Sequence, residues 1–404
     1  MPRASSNDRG RGEEAEPTLE ATAAEPDTDV EEENDEAEPS FFHPKRIVQT
    51  GVVVALLVGA IYFLLPQLVD AEDAIERLGD GDPVWIVVAF SLSIAMFFSY
   101  VALFRGIVGE GIRLRWRESY EITMAGLAAT RLFSAGGAGG IVLTYWALRK
   151  AGMARRESAR RMVAFLVLLY AVYMVTLVVD GILLRAGVFP GPAPVGLTIV
   201  PAAIAGGIIA IFLLSTLVPG DLERRMASFT QGYRFRKLMH RLATVPATLA
   251  SGTRTAIAFV REPSHGGLAV IGAIGFWAAN IAILWASFKA FDVEVPLAVV
   301  VQGVFVGMAA NLFPFAPAGV GAVDAGMIGT FVLFDLPGVT FGTVTAAVLL
   351  YRLIAFWLPI PPGIVAFFQL RSTVRRWEGA RSGAAVGADS AESLPGAITS
   401  ESKV

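Results

Sequence analysis

The chain has 404 residues, 54% of them hydrophobic and 17% charged, and no cysteine, so disulfides, thiolate metal sites and cysteine catalysis are excluded. Apolar runs long enough to cross a bilayer recur along most of its length, which marks a polytopic membrane protein and offers no footprint for nucleic acid. The net charge of −3 conceals an asymmetry: residues 1–40 hold 14 acids and 3 arginines, leaving 22 acids against 30 Lys and Arg, a charge of +8, in the body.

In chain order, residues 1–44 read as a disordered acidic cytoplasmic tail. Like charges repel, and residues 13–40 contain no aromatic side chain. The tail is either simply solvated or makes a regulatory contact with the basic loops. It has no secretory signal character. The membrane domain should span 45–377. Six full crossings are expected at 47–69, 84–104, 161–184, 195–218, 266–291 and 341–370, each near the ~20 apolar residues a span needs. Residues 71–78 read as a short surface helix. Two regions, 118–149 and 297–335, have apolar arms too short to cross on either side of a Gly/Pro break, and read as re-entrant hairpins. A cytoplasmic loop, 221–262, scatters Arg and Lys among apolar residues. It reads either as an amphipathic helix meeting anionic lipid head groups or as an ordinary positive-inside loop. Residues 378–404 read as a second disordered tail.

The two breaks carry one pattern. The first is Arg131-Leu-Phe-Ser-Ala-Gly-Gly-Ala-Gly-Gly140, the second Asn311-Leu-Phe-Pro-Phe-Ala-Pro-Ala-Gly-Val320. Val-Leu-Leu-Tyr follows each, at 167–170 and 348–351. Non-helical backbone survives at membrane depth only where protein or a water-filled cavity satisfies it. Paired broken segments in two halves point to a transporter binding site. The halves are about 84–184 and 266–371.

Charge sets the topology. The segments at 45–46, 105–117, 149–161, 224–261 and 371–376 hold 23 Lys and Arg; the alternate set holds only Arg77, Arg185 and Lys289. Positive residues stay inside, so both termini should be cytoplasmic and both hairpins should return to their own side. Three crossings then separate the hairpins, which inverts the second copy. The expected fold is an all-α polytopic membrane protein: about six full transmembrane helices plus two opposed re-entrant hairpins as an inverted repeat.

Buried ionisable groups in such a protein are costly and usually functional. Arg352 should lie roughly 16 Å into its helix, at ~1.5 Å per residue, and prolines 359, 361 and 362 should kink that helix below it. It is either a lipid-phosphate ligand or a structural Arg bonded to a carboxylate or to free hairpin carbonyls. Asp324 either caps a helix start or forms a gating ion pair with Arg352. Arg131 and Arg352 together offer the guanidinium forks that suit phosphate. Asn311 is the repeat-mate of Arg131. Gly139 and Gly319 share one repeat position where backbone N–H groups could cradle an anion. Asp180 and Lys289, near helix ends, read as structural residues that snorkel to the surface. Glu121, Asn280, Tyr170 and Tyr351 are weaker candidates: Asn280 is expected to join helices, the tyrosines to be packing the repeat kept. All three His fall in tails or loops, so no histidine metal cluster or nucleophile–His pair is expected. Asp80-Gly-Asp82 is the one enzymatic rival, as a metal-holding acidic pair of a membrane glycosyltransferase or as an ordinary turn.

At the break motifs the chain resembles the flippase-like membrane domain of lysylphosphatidylglycerol synthases, which also occurs as a stand-alone family; the likeness covers about 45–371. The family's Pro-Gly-Gly-x-Gly-x-x-Glu resembles Pro317-Ala-Gly-Val-Gly-Ala-Val-Asp324, and a helix Arg of the family corresponds to Arg352 in Leu-Leu-Tyr-Arg-Leu. In the first half Ile141 follows Gly140, and Ala171 stands where the family carries an Arg. So the second half keeps its charges and the first has partly lost them. The resemblance implies translocation of a lipid, an anionic phospholipid or a polyprenyl-phosphate lipid, without its synthesis, since the chain ends soon after its last helix. It implies no catalysis and no cofactor, and a prokaryotic plasma membrane. The alternatives are an accessory subunit or anchor for an envelope glycosyltransferase or lipid-modifying synthase, and a membrane-embedded glycosyltransferase using Asp80 and Asp82.

One test is topological. Tags at Asp73, Gly191 and Pro337 should be reached from outside, and tags near Arg236 and at the C-terminus only from inside. Labelling of Arg236 and Gly191 from one side would overturn the inverted arrangement.

Overall fold

The structure, a computed structural model, describes residues 79–109, 111–112, 114–132, 138–217, 248–309 and 321–392. The expected crossing at 47–69, the surface helix at 71–78, the acidic tail, and both Asn311 and Gly319 lie outside the described residues. Among the described residues the secondary structure is entirely helical. α1 is Pro83–Val108, α2 Trp116–Leu132, α3 Ala138–Lys150, α4 Arg155–Arg185 and α5 Ile199–Ser215. α6 covers 248–261. α7 is Pro263–Ala290, α8 Leu297–Met308, α9 Ala322–Leu333, α10 Phe341–Arg352 and α11 Ile360–Glu392.

α1, α4, α7 and the run Phe341–Gly379 are long and apolar enough to cross a membrane. α5 has 17 residues, about 26 Å at ~1.5 Å per residue, somewhat less than a ~30 Å hydrocarbon core. It starts four residues later than expected because the chain from Pro194 first makes tight turns, with Leu197 and Thr198 N–H both donating to Pro194 O. Where a disordered tail is expected from 378, α11 runs on to Glu392; its last turns are rich in alanine, the strongest helix former.

The core is the crossing of α1 and α7. These helices occupy the same place in the two halves, and they run antiparallel along their full length. Asp82 N–H donates to Ala290 O at 2.8 Å, and Trp85 meets Trp285 edge-on at 5.4 Å. Further along, a Cβ on Gly272 would lie 2.4 Å from Leu103 N, and one on Gly106 would lie 2.5 Å from Ala269 N. Small residues let the backbones touch, the usual way helices associate where lipid tails compete equally for apolar side chains. Antiparallel mates are what an inverted repeat requires.

Each hairpin closes on the same device. In α2–α3, a Cβ on Gly140 would fall 2.0 Å from Thr130 Oγ1 and 2.3 Å from Gly126 O. In α8–α9, Cβ atoms on Gly303 and Gly307 would fall 2.2 Å from the Phe331 ring and 2.3 Å from Met327. The first arm of each hairpin then lies antiparallel to the last helix of the opposite half. α2 follows α11: Glu121 accepts from Thr373 Oγ1 at 2.7 Å, and a Cβ on Gly363 would meet Ala128 at 2.6 Å. α8 follows α4: Tyr173 OH donates to Phe305 O at 2.5 Å, and a Cβ on Gly181 would lie 3.4 Å from Gln302 Nε2.

Of the expected basic loop, residues 248–261 form α6, with Ala250, Thr253, Ala256 and Phe259 buried at helical spacing against the bundle. Arg254 on its other side donates to Thr216 O at the end of α5. That end carbonyl would otherwise be unpaired.

The α1–α7 crossing makes a stability prediction. Gly272→Ala should cost about 2 kcal/mol, because backbone cannot yield as a side chain can. Gly267→Ala, with nothing near its added Cβ, should be neutral or gain up to ~1 kcal/mol from helix propensity. Thermal melting in detergent reads both, and equal melting temperatures would show that the crossing does not hold the fold.

Candidate functional site

α10 ends at Arg352 and passes into a π turn, Leu353–Trp357, ahead of Pro359. The prolines account for it. Pro359 and Pro361 have no N–H, so in α register Ala355 O loses its donor, and in π register Phe356 O does. Leu353 O is served by the wider spacing, accepting from Leu358 N–H at 2.9 Å. An interruption is therefore expected from the sequence; its form is a π turn upstream of the prolines.

The remaining carbonyls are served from the other half. Arg131, in the last turn of α2, donates from Nη2 to Ala355 O at 3.0 Å and from Nη1 to Phe356 O. Two of its nitrogens are thus spent on backbone. Paired with Arg352 in the sequence reading as a phosphate fork, Arg131 instead braces a broken helix.

Arg352 is different. It is 7% exposed, and its Nε lies 2.6 Å from Asp324 Oδ1. The approach is off the N–H axis, so Nε, Nη2 and Oδ1 have no well-formed hydrogen bond among the described residues. The pair is close and attractive yet leaves donor capacity unused. Asp324 has two roles at once: its Oδ2 accepts from Gly321 N–H at 2.8 Å, capping α9, while Oδ1 faces Arg352. Gly321 takes φ +80°, a left-handed conformation that glycine adopts without cost, and this turns the chain so that Asp324 opens the helix.

Both guanidiniums stack on one ring. Arg131 Cζ is 4.9 Å and Arg352 Cζ 4.3 Å from the centroid of Phe356, contacts worth ~1 kcal/mol each and more where water is excluded. Phe356 was legible only in hindsight, as the residue four beyond Arg352 and so on its helical face. Beside the pair, Tyr351 is fully buried and its OH donates to Asn280 Oδ1 at 3.0 Å, joining α10 to α7. Asn280 thus links helices, as expected. Tyr170, the repeat-mate of Tyr351, is 51% exposed, so the shared tyrosine is not shared packing.

The other candidates disperse. Gly139 is buried at the start of α3. Glu121 is buried and bound by Arg117 Nε at 2.8 Å and Thr373, a clamp between α2 and α11. Asp82 caps α1 through Val84 N–H at 2.8 Å, which is the turn reading of Asp80-Gly-Asp82. Lys289 pairs with Glu294 at 2.9 Å in the loop after α7 and holds that carboxyl below its usual range. Asp180 departs from expectation: it does not snorkel, being 4% exposed. It lies on the same helical face of α4 as Tyr173 and Leu184, which are buried towards α8.

With this geometry in view, two comparisons bear on identity. An archaeal UPF0104 membrane protein of Methanothermobacter thermautotrophicus is 26% identical over 347 residues, covering 80% of this chain and 95% of the relative. A second match, to a UPF0104 membrane protein of the same organism, is 28% identical over 120 residues, 29% of this chain and 35% of the relative. The family model described as the lysylphosphatidylglycerol synthase TM region matches residues 50–363, a stretch that contains both hairpins and the Asp324–Arg352 pair, and the chain belongs to that family.

Proposed function

We propose that this protein moves an anionic phospholipid or a polyprenyl-phosphate lipid between leaflets of a prokaryotic plasma membrane, with both termini cytoplasmic and no catalysis. The observation that carries the reading is Arg352: a buried guanidinium beside a carboxylate, with Nε and Nη2 lacking a well-formed hydrogen bond among the described residues. A fixed structural Arg would place its nitrogens on protein acceptors, as Arg131 does with two of its three. An Arg that must exchange partners cannot be.

A lipid phosphate offers Arg352 the bidentate acceptor that Asp324 does not supply. Asp324 then serves as the partner of the empty state, so that the guanidinium is never left without a counter-charge in an apolar surrounding. The basic segments near α6 supply a field that gathers anionic head groups. An accessory or anchoring role for an envelope enzyme would need no exchangeable Arg.

Variants separate ligand from brace. Arg352→Lys keeps the charge but loses the fork, so binding of a fluorescent anionic lipid should weaken about tenfold, and Arg352→Ala about a hundredfold, following the ~1.5–3 kcal/mol of charge-assisted bonds. Arg131→Ala should instead lower the melting temperature, leaving carbonyls unpaired at ~1–3 kcal/mol, with lipid affinity of the folded protein retained. Equal affinity in wild type and both Arg352 variants would reduce Arg352 to a structural residue. Purified protein in liposomes with labelled lipids tests transport itself; no movement in wild type would favour the accessory role.

A further inference from the structure

The interface of α4 and α8 contains two buried oxygens that accept hydrogen bonds and have no partner among the described residues: Asp180 Oδ2 and Gln302 Oε1. Asp180 is 4% exposed and Gln302 fully buried. The contacts of the two helices fix their levels. Tyr173 stands opposite Phe305, bonded and edge-on at 4.7 Å. At the other end, a Cβ on Gly191 would touch both Leu184 and Val299. Between these anchors Gln302 comes level with Asp180 and Gly181, and its Nε2 would lie 3.4 Å from a Cβ on Gly181.

The amide orientation is settled by its other end. Gln302 Nε2 donates to Leu197 O at 2.6 Å, which leaves Oε1 as the atom without a donor. A buried acceptor with no donor costs ~1–3 kcal/mol, and an unpaired buried carboxylate costs considerably more. Two acceptors cannot satisfy each other. A proton on the carboxyl turns Asp180 into a donor, the kind of group that an amide oxygen without a partner lacks.

Among the described residues no charged group competes for this role. α5 and α8 contain no ionisable side chain. α7 brings His265 at its far end and Lys289, which is paired with Glu294. On α4 itself Arg185 is exposed and one turn on. The charges of α1 and α3 gather around the start of α4, where Arg161 donates to Ile107 O and Lys150 meets Glu378. Asp180 lies about 28 Å further along the helix at ~1.5 Å per residue.

We infer that Asp180 and Gln302 form a proton-binding site: Asp180 takes a proton from water, donates its O–H to Gln302 Oε1 while α4 and α8 are closed together, and returns it to water when they part. In the transport reading, on which this last role rests, the site couples lipid movement to a proton gradient.

Infrared difference spectroscopy of the purified full chain tests the protonation without any transport. Wild type at neutral pH should show a protonated-carboxyl stretch that disappears in Asp180→Asn, a substitution that supplies an N–H donor for Gln302 and preserves the fold. Gln302→Leu should keep the band and shift it upward, as an acid that has lost its acceptor. Absence of any band lost in Asp180→Asn overturns the site, as does a band abolished by added sodium, which would make the occupant a metal cation. In proteoliposomes, an imposed pH gradient should change labelled-lipid movement several-fold in wild type and leave Asp180→Asn unaffected. Lipid movement in wild type that ignores the gradient overturns the coupling. Failure of wild type to move lipid at all, with the infrared band present, would instead count against the transport reading alone.

Discussion

Everything near Arg352 follows from one constraint: backbone N–H and C=O groups removed from water must find partners within the protein. Three prolines in four positions, 359, 361 and 362, take donors away from a helix that crosses the bundle. The helix responds by widening to a π turn, and Arg131 reaches across from the other half to bond the carbonyls left over. That long-range contact places α2 against α11 and leaves Arg352, one turn earlier, unbraced. The brace at Arg131 and the carboxylate-paired guanidinium of Arg352 sit on either side of the same missing donors.

The halves are held together reciprocally. The first hairpin arm of each half lies along the final helix of the other, and the leading helices α1 and α7 cross antiparallel through Gly106, Gly272 and Ala269. Such an exchange sets the described arms of each hairpin between the halves. Much of the large apolar surface is exposed instead, for example Phe98, Ile204, Ile271 and Phe368. In a bilayer those side chains face lipid at no cost, so association depends on close backbone approach and on the few polar contacts between helices.

Much of this arrangement was legible in the sequence. Hydropathy marks α1 and α7 to within four residues and finds α4 and the α10–α11 run, whose charged ends extend beyond the apolar stretch, by six residues at the start of α4 and to Glu392 at the end of α11. The Asp324–Arg352 approach was legible as the proximity of two rare charges. What sequence could not assign was direction. Arg131 and Arg352 are chemically the same residue, and only the fold shows that one faces orphaned carbonyls and the other a carboxylate. Asp180 was misjudged for a similar reason: position near a helix end suggests reach to the surface, whereas the helical face decides it. Gln302 passed unnoticed, although it is the one polar amide in an arm that otherwise reads Leu-Ala-Val-Val-Val and Val-Phe-Val.

The two reciprocal interfaces have the same architecture and opposite chemistry. Where α2 meets α11, buried Glu121 has Arg117 and Thr373 as partners, and half-buried Arg131 bonds the π turn that follows Arg352. Where α4 meets α8, Asp180 Oδ2 and Gln302 Oε1 are acceptors with no partner among the described residues. An inverted pair of halves that rocked as rigid bodies would alter both interfaces in the same movement, since each hairpin belongs to one half and its supporting helix to the other. No chain of intermediate residues is then needed to connect an anion released at Arg352 with a proton released at Asp180. The division is one of charge: in the second half Arg352 and Asp324 face each other, whereas in the first Asp180 has no cation paired with it among the described residues.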